Sequence, residues 1–236
     1  MAQSTDRQTA HASTNEQSAQ IDSAIAKLLV IGGTRGTGRH VLDQALTAGY
    51  AVTALARDRA RIASEHERLT VLQGDVLDPD TLAPAMAGQD AVISTLGGAS
   101  RGPTALYSDG MRHIIQAMGR AGVRRLVAVS AAPLSSSRDG DTLPSRLLLK
   151  PLLRALFRQP YADLARMEEE MRASGLDWTI MRPPRLTDKP PAGRYRTAIN
   201  LSVRRGYTIS RADLADAIIT LLDDPKALHA AVGIGY

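Results

Sequence analysis

The sequence predicts an α/β fold in which helices cover both faces of a doubly wound, parallel sheet. Short apolar runs, typical of strands buried on both faces, alternate with segments whose apolar residues recur at helical spacing. A glycine-rich turn joins the first of these strands to the first helix. Because strands that alternate with helices need crossover connections, the sheet is expected to be parallel.

The predicted elements follow one another from Lys27 to the C-terminus. The predicted strands are 28–31, 51–55, 69–72, 91–94, 126–129, 178–181 and 232–234. The predicted helices are one that ends at Gly49, then 80–87, about 104–121, one that ends near 174–175, and 213–222. Gly49 and Gly122 stand where helices commonly place glycine after their last turn. Together these elements predict a single domain over residues 25–236.

Composition excludes several classes of protein. The 236 residues are 44% hydrophobic, which is enough for one sizeable core, and none is cysteine. A disulfide scaffold, a catalytic thiol and a thiolate metal site are therefore excluded. The five histidines have no ligand spacing, so no metal site is expected. No uncharged apolar run approaches the ~20 residues that span a bilayer, so no membrane span is expected.

The N-terminal residues and the net charge predict the partners. Residues 1–24 have few large apolar side chains, so they are predicted to form a flexible tail; they also lack the apolar region of a secretory signal, so the protein is expected to be cytoplasmic. The net charge of +5 indicates an anionic partner. The basic residues are spread along the chain and aromatic residues make up only 3%, which argues against nucleic acid. A small molecule with a few phosphates fits better.

The glycine turn between the first strand and the first helix is the strongest functional motif. A backbone that turns sharply, approaches a pyrophosphate closely and offers helix N–H groups to it needs glycine at several positions. Gly32, Gly36 and Gly38 are assigned to these tasks. The candidate contacts are Gly32, Gly33, Thr34, Arg35, Gly36, Thr37 and Gly38. The turn therefore predicts a bound dinucleotide.

The end of the second strand predicts which dinucleotide binds. Arg57 stands there, and an arginine at this position suits the 2′-phosphate of NADP, whereas an acid suits the 2′-hydroxyl of NAD. Arg35 is a second candidate for the phosphate. Asp58 follows Arg57 directly, and a small backbone shift would bring it to the ribose instead. NADP(H) is favoured over NAD(H).

From Lys27 to the C-terminus the sequence resembles the atypical short-chain dehydrogenase/reductases, especially the flavin reductase and biliverdin reductase B type. The matching stretches are the glycine turn, LARD at 55–58, GDVLDPDTL at 74–82, AGQDAVISTLG at 87–97, RASGLDWTIMRPPRLTD at 172–188 and ISRADLADAI at 209–218. The resemblance implies a Rossmann-like sheet that binds NADP(H) at the carboxyl ends of its strands.

The same resemblance assigns further contacts. Asp75 and Val76 are expected to flank the adenine, and Thr95, Leu96 and Gly97 to run beside the ribose and phosphates. Ser130 is expected to face the nicotinamide. The turn at Pro183 and Pro184 is expected to close over the nicotinamide ring.

The sequence departs from that pattern in two places. The spacing of Gly32, Gly36 and Gly38 follows the short-chain dehydrogenases that use a Tyr-xxx-Lys pair, while the rest follows the atypical branch. The pair itself is missing, because Tyr161 is followed four residues later by Ala165. In that chemistry the lysine lowers the pKa of the tyrosine. Tyr161 and Ser130 remain the catalytic candidates, with Tyr161 more structural than catalytic.

The resulting prediction is an NADP(H)-dependent reductase that transfers hydride to a conjugated acceptor such as a flavin (FMN, for example), a quinone or a tetrapyrrole. Hydride transfer to such an acceptor needs positioning more than a strong protein acid. Two alternatives stay open. One is a non-catalytic NADP sensor of the NmrA-like kind, and the other is an isomerase or dehydratase that retains its nicotinamide.

Two segments are predicted to cap the substrate, near 134–160 and 183–208. The first contains a leucine-rich stretch at 143–157 with three cations; it fits a lid, a membrane-surface helix, or a helix packed on the core or on the partner of a homodimer. Glu168, Glu169 and Glu170 are interpreted as a solvated helix face. Trp178 is expected in the core.

Overall fold

The computed structural model describes residues 25–97, 105–134 and 158–236. The predicted tail 1–24 and the leucine-rich stretch 143–157 lie outside these ranges. The described ranges contain ten strands, which are β1 Lys27–Ile31, β2 Ala51–Ala56, β3 Leu69–Gln73, β4 Ala91–Ser94, β5 Arg125–Val129, β6 Asp177–Arg182, β7 Arg185–Thr187, β8 Arg196–Ile199, β9 Thr208–Ser210 and β10 Ala230–Gly235. The same ranges contain five α-helices, which are α1 Gly36–Thr47, α2 Pro79–Met86, α3 Leu106–Ala121, α4 Arg158–Ala173 and α5 Arg211–Thr220.

Eight of these strands form one sheet in the order β3-β2-β1-β4-β5-β6-β10-β8. All its pairs are parallel except the last, in which β8 runs antiparallel to β10. The chain moves outward from β1 to β3 and then returns to β4 on the other side of β1. This reversal between β1 and β4 defines a doubly wound sheet, so the predicted fold class is confirmed.

The strands alternate their side chains between two cores. In β1, Leu28 and Val30 pack on the side of α1 and α5, while Leu29 and Ile31 pack on the side of α2, α3 and α4. All four are at most 2% exposed. A strand buried on both faces needs a continuous apolar run, which is why the strands could be predicted without any alternation. Trp178 lies in the second core, as expected.

The segment between Pro184 and Arg211 contains strands that the sequence analysis did not assign. β7 and β9 form a small parallel sheet of their own, and β8 adds an antiparallel edge to the main sheet. β8 is mostly exposed, and its sequence lacks the alternation of apolar and polar residues that would indicate a strand. The capping role of 183–208 remains a prediction.

A buried carboxylate fixes α4 against α3. Asp163 of α4 is fully buried and accepts hydrogen bonds from the N–H groups of Tyr107 and Ser108 at 2.9 and 3.2 Å, and from the Ser108 hydroxyl at 2.5 Å. The first N–H groups of a helix have no partner within the helix, so Asp163 satisfies them from a neighbouring helix. This contact sets the position of α4, which carries Tyr161.

Within the described ranges, the helices are all too short or too polar to cross a bilayer.

Candidate functional site

The carboxyl ends of the parallel strands meet at one edge of the sheet. In register, Ile31 pairs with Leu55 on one side and with Ser94 on the other, and Ser94 pairs with Ala128. The residues that follow these ends therefore lie side by side. In sheet order they are Asp75, Arg57, Gly32, Thr95, Ser130 and Pro183. The structure thus brings together candidates that the sequence separates by more than one hundred residues.

The glycine turn packs so closely against the end of β4 that side chains are sterically excluded. A Cβ on Gly32, where φ is +91°, would lie 2.7 Å from the Thr95 carbonyl oxygen and 2.9 Å from Thr95 Oγ1. A Cβ on Gly38 would overlap the Gly32 carbonyl oxygen and Thr95 Oγ1. Thr95 is itself fixed, since its N–H and hydroxyl both donate to the Ile31 carbonyl, at 2.9 and 3.1 Å. Glycine at 32 and 38 is therefore a steric requirement.

The glycine turn leads directly into the N-terminus of α1. Arg35 at the N-cap makes no side-chain capping bond, and the first turn of α1 holds no acid. The hydroxyl of Thr37 is buried and has no hydrogen-bond partner in the described part of the chain. Free helix N–H groups and a buried hydroxyl without a partner are what a phosphate would satisfy. The turn fits the pyrophosphate of a dinucleotide.

The residues after β2 include Arg57 and Asp58, which the sequence proposes as alternative contacts to the ribose side of the cofactor. Asp58 accepts a hydrogen bond from the Ala60 N–H at 3.1 Å and caps a short 3-10 helix over Arg59–Arg61. Its carboxylate is thus engaged with its own loop. Arg57 and Arg35 are both exposed.

The predicted adenine side is built on a glycine that the sequence analysis did not single out. Val76 is buried, and its carbonyl oxygen lies 3.0 Å from His113 Nδ1 of α3. A Cβ on Gly110, also in α3, would meet the Val76 side chain at 3.2 Å and Leu96 at 3.3 Å. Gly110 therefore lets α3 approach both residues. Among the described residues, none lies within 4 Å of the Cβ position of Gly97.

At the other end of the edge, Ser130 is held by a buried glutamate. Ser130 Oγ donates to Glu168 Oε1 at 2.6 Å, and Ser130 is 7% exposed. Its N–H donates to the Met181 carbonyl at 2.8 Å, and two residues later the Ala132 N–H donates to the Pro183 carbonyl at 2.9 Å. Ser130 and Pro183 are thus neighbours, as the resemblance implies.

Glu168 is the main correction to the sequence analysis. The interpretation of Glu168 as part of a solvated face is wrong, because the residue is only 2% exposed. Besides Ser130, it accepts bonds from Arg172 at 2.6 Å and from Arg182, whose Nε lies at 3.0 Å and whose Nη2 contacts the other oxygen. Burial alone would raise the pKa of Glu168, but the bonds from Arg182 and Ser130 outweigh it and hold the pKa below its ordinary value. Glu168 is a carboxylate. Its exposed neighbour Glu169 fits the original interpretation.

The periodicity of α4 contains the signal that was missed. Leu164, Met167 and Met171 are buried and repeat at helical spacing, which places position 168 on the same face. A charged residue on a buried face needs a partner of opposite charge. Arg182, just before the two prolines, is that partner.

Tyr161 and Ala165 lie on the same helix as Glu168. Tyr161 is partly buried against the second core, and burial raises the pKa of its hydroxyl. Ala165 leaves a pocket of about 400 Å³ beside Glu168, Arg172 and Arg182. The position where the resembling dehydrogenases carry lysine is therefore part of a cavity wall.

Fold and site together define a dinucleotide-binding α/β domain. Residues 32–225 match a protein-family model described as NAD(P)H-binding. The chain belongs to this family, and the resemblance drawn from the sequence motifs is confirmed at that level.

Curated relatives and solved structures agree with this assignment. The chain is 28% identical over 218 residues to an uncharacterized chloroplastic protein of Arabidopsis thaliana. This alignment covers 88% of this chain and 76% of that protein. It is 36% identical over 157 residues to the uncharacterized sugar epimerase YhfK of Bacillus subtilis, covering 65% of this chain and 66% of the relative.

Two solved structures share the fold. A short-chain dehydrogenase/reductase from Veillonella parvula, in complex with NADP, superposes with a TM-score of 0.73 at 22% identity over 90% of this chain and 95% of that one. The anaerobilin reductase ChuY from Escherichia coli O157:H7 superposes with a TM-score of 0.70 at 23% identity over 88% and 96% of the two chains.

Proposed function

We propose that this protein is an NADP(H)-dependent reductase whose acceptor is a conjugated molecule, of the flavin, quinone or tetrapyrrole class. The observation that carries the proposal is the bond from Ser130 to the Glu168 carboxylate, at the carboxyl end of β5. This bond determines what the site can do with a proton.

Ser130 is better placed to accept a hydrogen bond than to supply a proton. Its own hydrogen points to Glu168, so its lone pairs are the part that faces outward. Glu168 cannot pass on a proton at neutral pH, since its pKa is lowered and it is already ionised. Ser130 would then hold the carboxamide of the nicotinamide, which presents N–H donors.

Tyr161 is a poor acid for the same site. Burial raises its pKa, whereas the Tyr-xxx-Lys chemistry depends on a lowered one. At Ala165 there is no cation to lower it. When a simple ketone receives a hydride, a protein acid must donate a proton to its carbonyl oxygen. A conjugated acceptor instead spreads the negative charge that the hydride brings, and it can take its proton from water. The bound cofactor supplies the hydride.

NADP(H) as the preferred cofactor is supported by the two exposed arginines beside the turn. Asp58 is engaged with the Ala60 N–H, which leaves Arg57 as the residue at the tip of β2 for a 2′-phosphate. The chain shares its fold with a short-chain dehydrogenase/reductase solved in complex with NADP and with an anaerobilin reductase.

The test is NADPH oxidation by the purified full chain with FMN, a benzoquinone and biliverdin in separate assays. We expect turnover with at least one of them, and slower turnover with a matched unconjugated ketone. Tight binding of NADPH without oxidation in any assay would instead support the non-catalytic sensor.

A second candidate is favoured by the sugar epimerase relative. In that case the nicotinamide would be reduced and reoxidised within one turnover, and no net NADPH would be consumed. A sugar nucleotide incubated with the protein in deuterium oxide would then gain deuterium or change configuration while the absorbance at the NADPH wavelength stays constant. Net oxidation with FMN and no sugar exchange would exclude this candidate.

A further inference from the structure

Arg211, the first residue of α5, lies against the glycine turn. A Cβ built on Gly36, where φ is +57°, would be 3.4 Å from Arg211 Nε and 3.6 Å from Arg211 Cδ. Gly36 is also the first residue of α1, whose N–H groups lack a side-chain cap. A guanidinium therefore stands beside the helix N-terminus that fits the pyrophosphate.

Local forces do not explain why an arginine occupies this position. A cation in the first turn of a helix opposes the helix dipole, which favours acids there. Its ion-pair partner is Asp188, at 2.7 Å, whose side chain is 85% exposed, and such a pair contributes little to stability. The acid of the same turn, Asp213, is 1% exposed and is bound by the Ala192 and Gly193 N–H groups, the Ser210 hydroxyl and the Tyr236 hydroxyl.

We infer that Arg211 binds the pyrophosphate of NAD(P)H, together with the N-terminus of α1. The guanidinium of Arg211 and the N-terminus of α1 then contact the same anion, since α1 and α5 pack against each other. Asp188 holds the guanidinium at the turn and competes with the phosphates for it. The inference concerns the cofactor that the family binds and is independent of the acceptor proposed above.

Arg211 and Arg57 are assigned to different phosphates, which makes the inference testable. NADPH and NADH carry the same pyrophosphate, while only NADPH carries the 2′-phosphate. We expect Arg211→Ala to weaken the binding of both cofactors by about the same factor, of the order of 10- to 150-fold for a charge-assisted hydrogen bond. Arg57→Ala is expected to affect NADPH alone.

The measurement is calorimetric titration of the full chain with NADPH and with NADH. Arg211→Lys should keep part of the affinity, because the positive charge remains. Arg120→Ala is the control, since Arg120 is an exposed arginine in the last turn of α3 and is expected to change neither affinity. Unchanged affinity in Arg211→Ala would overturn the inference and leave a packing role. A loss for NADPH alone would also overturn it, because Arg211 would then read the 2′-phosphate.

Asp188→Asn gives an independent measurement if the Arg211→Ala protein is too unstable for the titration. Removing the competing carboxylate should increase the affinity for both cofactors by a few-fold. Unchanged or weaker binding of both cofactors in a folded Asp188→Asn protein would contradict the competition that the inference requires.

Discussion

The two halves of the sheet carry function in different ways. On the β1–β4 side, the proposed cofactor site centres on the glycine turn, and its requirement is steric: beside Thr95, Gly32 and Gly38 have no room for a Cβ. On the β5–β10 side, the proposed site is made by Ser130, Glu168 and Arg182, which lie on three separate elements. The first arrangement needs only the glycine turn and the end of the neighbouring β4. The second exists only when β5, α4 and β6 have packed together.

This difference separates two kinds of sensitivity. The turn depends on the backbone path, so any added atom perturbs it. The Glu168 cluster depends on charge balance in a buried place, so a loss of charge perturbs it. Substitutions that add one methyl group or remove one carboxylate distinguish the two halves.

The largest effect is expected from Glu168→Ala. Its side chain is 3% exposed and that of Arg182 is 11% exposed, so the substitution leaves a buried guanidinium without its carboxylate. Breaking a buried ion pair in this way typically costs about 3–5 kcal/mol of the free energy of unfolding. Urea unfolding of the two proteins measures the loss.

Glu169→Ala is the matched control for that prediction. The residue is adjacent in sequence and exposed, so its removal should change stability by about 0.5 kcal/mol or less. Equal effects at 168 and 169 would show that the buried cluster does not stabilise this half of the sheet.

The acid side of the stability profile tests the same carboxylate. Because the folded-state pKa of Glu168 lies below its ordinary value of 4.5, unfolding takes up a proton at acid pH. The stabilisation is fully present above about pH 4.5 and is lost as the pH falls further, through the lowered folded-state pKa. Glu168→Gln should therefore flatten the decline in stability below pH 4.5, while Glu169→Gln leaves its slope unchanged.

The next largest effect concerns the other half. In Gly38→Ala the new Cβ overlaps the Gly32 carbonyl and Thr95 Oγ1, so the turn must shift. We expect both NADPH and NADH to bind about 100-fold more weakly, which is roughly the effect of losing a charge-assisted hydrogen bond to the pyrophosphate. Calorimetric titration gives both dissociation constants.

Gly119→Ala provides the contrast. Gly119 lies in α3, and nothing stands within 4 Å of its Cβ position. Alanine there should raise the free energy of unfolding by about 0.5–1 kcal/mol and leave cofactor binding unchanged. Loss of binding in both glycine variants would mean that the effect at Gly38 is not a local steric one.

A more selective effect is expected from Arg57→Ala, because it concerns NADPH alone. A charge-assisted hydrogen bond to the 2′-phosphate corresponds to roughly 1.5–3 kcal/mol, or about 10- to 150-fold in affinity for NADPH. NADH should bind almost as before. Equal losses for the two cofactors would show that Arg57 does not distinguish them.

The same contrast explains what the sequence could predict. The order of strands and helices follows from apolar runs and glycine turns, which are local, so the fold class and the cofactor turn could be predicted. For Glu168 the periodicity of α4 predicts burial, but its bond to Ser130 has no local signal. The position of Arg211 beside Gly36 has none either, because the two residues lie far apart in sequence. The edge strand β8 is exposed and polar, so its pairing with β10 also had no local signal.

The smallest effect is predicted for Tyr161→Phe, and it decides between positioning and acid catalysis in the second half. Phenylalanine keeps the ring that packs against the second core and removes only the hydroxyl, whose pKa burial already raises. If Tyr161 supplied the proton, its loss would lower the rate by the 10²–10⁴-fold typical of a general acid. With Ala165 in place of an activating lysine, we expect less than about tenfold, which is within ~1.4 kcal/mol. Ser130→Ala should be the more damaging substitution, because it removes the group that Glu168 orients, yet turnover should persist. Steady-state rates with NADPH and FMN measure both. A thousandfold loss in Tyr161→Phe, with cofactor affinity intact, would show that the proton comes from the protein and that the positioning mechanism is wrong.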